Sequence, residues 1–123
     1  MNGTTSITLT GPGLAVGKRL DITVSVSATI EIDAITAQRK ATAWLVSEVG
    51  DLLLGDPPAL VIGQRAVWRV PVLLTSPSRG VIGQVGTVDV DTTSGQVLAD
   101  PTLAQELATH AHDLVRSVAP SAE

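Results

Sequence analysis

Thirteen consecutive residues, 20–32, alternate without a break between apolar and polar side chains. Leu20, Ile22, Val24, Val26, Ala28, Ile30 and Ile32 are apolar, and Asp21, Thr23, Ser25, Ser27, Thr29 and Glu31 between them are polar. Side chains of a β-strand point in turn to opposite faces, so the pattern predicts one dry face and one wet face. At about 3.3 Å per residue a strand of this length would run roughly 43 Å, more than twice the usual span. The feature commits the chain to a sheet covered on one side. It concerns architecture and carries no chemistry.

What covers that sheet has to be aliphatic. Of the 123 residues, 44% are apolar, yet there is no Phe or Tyr and only two Trp. That is enough for one folded domain and too much for a disordered chain. It provides no row of aromatic faces for stacking nucleic-acid bases. A net charge of −4 with only eight Lys and Arg, scattered in ones and twos, gives no footprint for a phosphate backbone. The absence of cysteine excludes disulfides, thiolate metal sites and cysteine nucleophiles. No apolar run approaches the roughly 20 residues that span a bilayer. The N-terminal residues show no basic region followed by an apolar block. The expectation is a soluble, cytoplasmic protein, without membrane insertion and without a nucleic-acid partner.

Local signals divide the chain further. Residues 6–10 read as a short strand that Gly11-Pro12-Gly13 breaks. With Gly17-Lys18-Arg19 before the long strand, an N-terminal β-hairpin follows. At Asp33 the period changes to that of a helix, with Asp33 or Thr36 as cap. Ile35, Ala41, Leu45, Val49 and Leu52 form its stripe beside Trp44, and the helix is expected to stop near Gly55. A short strand at 59–62 is an option in the connection that follows. Residues 68–74 then read as extended, with Trp68, Val70, Val72 and Leu74 on one face. Pro71 lacks a donor, which calls for an edge strand or a bulge. A turn at 76–80, a strand at 81–91 and a hairpin through Asp91-Thr92-Thr93-Ser94-Gly95 onto 96–99 complete the sheet. Asp100-Pro101 opens a last helix with Leu103, Leu107, Ala111, Leu114 and Val118 on its apolar side.

The predicted fold is therefore α+β, an antiparallel sheet with two helices on one face in the order ββ-α-βββ-α and a long N-terminal hairpin. It forms a single domain over 1–118, divided into a hairpin extension (1–33), a core (34–99) and a C-terminal helix (100–118). A frayed tail follows at 119–123.

No chemical motif is complete. Gly80, Gly83 and Gly86 have the wrong surroundings for a phosphate loop, because a strand with no Lys follows them. They read as small residues for a bulge or close packing. Asp89, Asp91 and Thr93 could begin a calcium loop, but the glycine and the closing glutamate are out of place, so a hairpin is the simpler account. His110 and His112 lie about 200° apart on a helix and cannot share a metal. None of Ser6, Ser76, Ser78 and Ser94 stands in a nucleophile elbow. Catalytic residues, cofactor ligands and metal ligands are accordingly expected to be none.

From 34 to 98 the arrangement resembles the PepSY domain. The likeness rests on an Ala-rich helix with a Trp-Leu stretch, the strand Trp68-Arg69-Val70-Pro71-Val72 and a turn with Gly80. Above all it rests on the closing segment Val88-Asp89-Val90-Asp91-Thr92-Thr93-Ser94-Gly95-Gln96-Val97-Leu98. The resemblance implies a small α+β module without catalytic residues, of a kind that binds or inhibits peptidases or makes contacts within envelope proteins. The long N-terminal hairpin and the lack of a signal or anchor depart from that pattern.

Two functions follow as expectations. The first is a non-catalytic protein-interaction or oligomerisation module, in the manner of an inhibitor or adaptor. Its interaction strand would carry Leu20, Ile22, Val24, Val26 and Ile30 toward a second copy or another protein. The alternative is a small-ligand-binding domain or unusual enzyme. Its pocket would lie between sheet and helices, lined by Trp44 and Trp68 with Arg69 or Glu48 as polar anchor. The two tryptophans nevertheless read first as core residues, one on the helix and one on the strand beneath it.

Overall fold

A computed structural model of the chain describes residues 4–6, 21 and 28–118. Strand β4 (Ala66–Ser76) is the axis of the sheet. Its alternation sends Trp68, Val70, Val72 and Leu74 to the covered side, where all are buried. Opposite them on the antiparallel strand β5 (Gly80–Asp91) stand Val90, Val88, Gly86 and Gly83. The β4–β5 turn closes on Gly80, whose positive φ of 74° suits glycine. Beyond β5 lies the two-residue strand β6 (Val97–Leu98), reached through a turn in which Gly95 also has positive φ.

The other edge of β4 is covered by two short strands in succession. Strand β2 (Leu53–Gly55) pairs with residues 72–74 and β3 (Ala59–Ile62) with residues 66–69, both antiparallel. Between them Asp56-Pro57-Pro58 interrupts the ladder, since proline has no N–H to contribute. Strand β1 (Thr4–Ser6) lies outside β3 and is parallel to it. Pro71 thus stands in a central strand, not at the edge that its missing donor would suit. Its carbonyl accepts from Asp56 N–H at 2.9 Å, so its missing donor faces the interruption, and the register shifts directly after it, between Val72 and Leu73. The bulge half of the expectation is met.

Helix α1 (Ala34–Glu48) begins where expected, with Asp33 Oδ1 accepting from Thr36 N–H at 2.8 Å. Its buried side is Ala37, Ala41 and Leu45, three positions one turn apart. Two alanines let the helix approach the sheet closely, whereas Ile35 is 58% exposed on the far side. The helix ends at Glu48, not near Gly55. The N–H groups of Val49 and Gly50 both donate to Leu45 O, and the chain leaves to form β2, where Leu53 is buried against the sheet. An apolar Leu52-Leu53-Leu54 run satisfies either period, and the sheet edge claims it. Leu52 is left exposed.

Helix α2 (Pro101–Val118) starts at the expected cap, with Asp100 Oδ1 accepting from Leu103 N–H at 2.8 Å. Leu107 is buried, Leu103, Ala111 and Leu114 pack against the core, and Val118 is exposed, contrary to the expected stripe. The helix rests on glycines of β5, Leu107 over Gly86 and Leu114 over Gly83. Both helices therefore sit on the same face, in an α+β fold. The order between them is five strands, not three, because the connection after α1 is itself built into the sheet.

The expected N-terminal hairpin falls largely outside the described residues. Its last part does not: residues 28–32 carry no strand. There the N–H groups of Glu31 and Ile32 converge on Thr92 O, each at 2.9 Å, and the chain turns into the Asp33 cap. Two donors meeting on one carbonyl cannot continue a ladder, in which bonds alternate along the strand.

Candidate functional site

Between α1 and α2 lies an open groove of about 470 Å³. One wall is Trp44 and Glu48, a single helical turn apart on α1. The other is Pro101, Ala104, Gln105 and Ala108, which share one face of α2 by their i, i+3, i+4, i+7 spacing. Ala99 and Asp100 close it at the link from β6 to α2. Two of the four lining residues on α2 are alanine, so that side of the groove carries little bulk.

The two tryptophans have separate roles. Trp68 is 5% exposed and its indole N–H donates to Ile32 O at 2.6 Å, tying the sheet to the segment that enters α1. Trp44 is half-buried, one side against the core. Its indole N–H makes no hydrogen bond among the described residues and is open to solvent. Among the same residues, Glu48 accepts only from Ser47 Oγ, at 3.1 Å. Asp100 uses one oxygen as the α2 cap. Neither carboxylate has an ion-pair partner among the described residues.

Of the four residues expected around a pocket, the fold brings together Trp44 and Glu48. It removes Trp68 into the core and places Arg69 on the opposite face of β4. There Arg69 makes a two-pronged bond to Asp89, Nε–Oδ1 2.9 Å and Nη2–Oδ2 3.1 Å. That carboxylate raises the Arg69 pKa still further. Ala99, Ala104, Gln105 and Ala108 are lining residues beyond those expected. For Ala104 and Ala108 the signal in the sequence is the small face of α2 that flanks its leucine stripe.

The remaining motifs have structural uses. Asp91 accepts from Thr93 N–H at 3.1 Å and Ser94 Oγ at 3.0 Å within the β5–β6 turn, with Arg65 3.7 Å away. These bonds, led by the Thr93 N–H, hold its carboxyl below the usual range. Asp33 is likewise lowered by the Thr36 hydroxyl and N–H. No three His, Asp or Glu side chains converge among the described residues. The His110 ring bonds Val85 O at 3.1 Å. A second, more apolar hollow of about 290 Å³ lies near the β4–β5 turn, between Leu52, Ile82, Val115 and Val118. Of the expected interaction strand, Leu20, Ile22, Val24 and Val26 lie outside the described residues, and Ile30 is exposed in an irregular stretch.

No family model, no curated protein and no solved structure matches this chain. No helix among the described residues is long and apolar enough to cross a membrane.

Proposed function

We propose that this chain is a non-catalytic binding module and that it holds a group of another protein in the groove between α1 and α2. The observation that carries the reading is Trp44. A buried tryptophan ordinarily finds a partner for its N–H, as Trp68 does. Trp44 instead packs partly against the core, lines the groove and has no hydrogen-bond partner for its N–H among the described residues. Such aromatic anchors, amphipathic and conformationally stiff, concentrate where protein surfaces meet.

The test is to titrate the ¹⁵N-labelled protein with a panel of short peptides of mixed charge and record its amide and indole resonances. Binding peptides are expected to shift the Trp44 indole signal, identified by its loss in Trp44→Phe, together with the amides of Ala104, Gln105 and Ala108. The substitution Ala104→Trp should fill the groove and abolish those shifts. Peptides that bind but perturb only the hollow near the β4–β5 turn, or a panel in which none binds, would overturn the assignment.

A further inference from the structure

We infer that the group this groove takes is a basic side chain of the partner, an arginine or a lysine laid along Trp44. The inference rests on the groove being the binding site, and it adds the chemistry of the guest.

Charge and shape point the same way. Glu48 stands on one wall and Asp100 at the end where the β6–α2 link closes the groove, neither with an ion pair among the described residues, while Asp89 and Asp91 on the sheet have Arg69 and Arg65. Glu48 is also the last residue of α1, and that last turn carries no basic residue. A helix C-terminus bears partial negative charge, so an acidic side chain there is electrostatically mismatched, and a bound cation relieves the mismatch. At the other wall, the N-terminus of α2 would by itself favour an anion. Asp100 already occupies it, with Oδ1 on Leu103 N–H, so an anionic guest would meet a carboxylate instead.

The rest of the lining suits a long side chain with a charged end. The face of an indole attracts a guanidinium or ammonium group. Pro101, Ala104 and Ala108 offer an apolar surface for the methylene stem. A net charge of −4 draws a basic partner toward the molecule.

The experiment uses three capped tripeptides, Gly-X-Gly, in which X is arginine, lysine or citrulline. Citrulline keeps the shape of arginine without its charge. With the full chain, the Trp44 indole resonance is followed against peptide concentration at low and high salt. The arginine and lysine peptides should bind at least about fivefold more tightly than the citrulline peptide. That advantage should shrink at high salt, as should their affinity in Glu48→Gln. If citrulline binds as well as arginine, the groove is a binding site but its selectivity is not for charge, and this inference fails alone. If no peptide moves the Trp44 signal and Ala104→Trp excludes none, the proposed function fails with it.

Discussion

A methyl group added at Gly86 would lie 2.7 Å from Leu107 Cδ2, inside the distance that carbon atoms tolerate. Leu107 is only 1% exposed, so it has nowhere to retreat without moving α2 off the sheet. Gly86→Ala is therefore expected to destabilise the fold by about 1–3 kcal/mol, measured by urea unfolding. Gly63, in the turn between β3 and β4, has open space where a methyl group would stand, with nothing within 4 Å, and its φ is not positive. The same substitution there should be neutral, or stabilise by about 0.4–1 kcal/mol through the unfolded chain. Equal effects at the two sites would show that α2 does not rest on β5 as described. The same contact accounts for two of the three glycines spaced like a phosphate loop: Gly83 and Gly86 seat a helix, and Gly80 closes the β4–β5 turn.

Among the elements, β2 shows how a sheet edge is closed by a helix. Gly55 N–H donates to Thr42 Oγ1 at 2.9 Å, and Gly55 O accepts from Gln38 Nε2 at 2.9 Å. Two side chains of α1 thus satisfy backbone groups that an edge strand would leave open. Thr42→Val keeps the shape and removes the acceptor, leaving a partly buried N–H unpaired. The expected loss is about 1–3 kcal/mol, and a variant as stable as the parent in chemical denaturation would refute this role for Thr42. Acid acts on two other elements. Asp33 at the start of α1 and Asp91 in the β5–β6 turn both have carboxyls held below their ordinary pKa. A depressed folded-state pKa gives stability that is complete above the unfolded value of about 4 and is lost as pH falls through the folded value. Unfolding midpoints should therefore drop between about pH 5 and pH 2. The double variant Asp33→Asn, Asp91→Asn should show a flatter acid limb. These elements also mark how far the sequence can be read. Both helix starts and both β5 turns are legible because Asp33, Asp100, Gly80 and Gly95 act within three or four residues of themselves. The end of α1 is not, since Leu52-Leu53-Leu54 fits a helix or a strand, and the choice depends on the distant strand β4. In the groove, Trp44 and Glu48 are legible as neighbours one turn apart on α1. The facing wall of Ala104, Gln105 and Ala108 is not, because its position depends on where α2 settles over Gly83 and Gly86.

At the scale of the whole molecule, the described core draws its side chains from one continuous stretch of the chain. Among the described residues, every side chain of the buried cluster and of the apolar shell packed on it lies between Ile32 and Leu114. Strand β1 contributes backbone pairing to β3 at the margin of the sheet. Deleting residues 1–27 is accordingly expected to leave a cooperative fold with the helical circular-dichroism signal and the buried Trp68 emission intact. Its stability should fall, because the outer edge of β3 loses its pairing partner. A bared edge is a template for another strand, so the shortened chain should also associate more than the full chain in sedimentation at equal concentration. The groove between the helices lies on residues 44–108, and peptide-induced shifts of the Trp44 indole should survive the deletion unchanged. A truncated chain that melts without cooperativity would place an indispensable part of the core before residue 28.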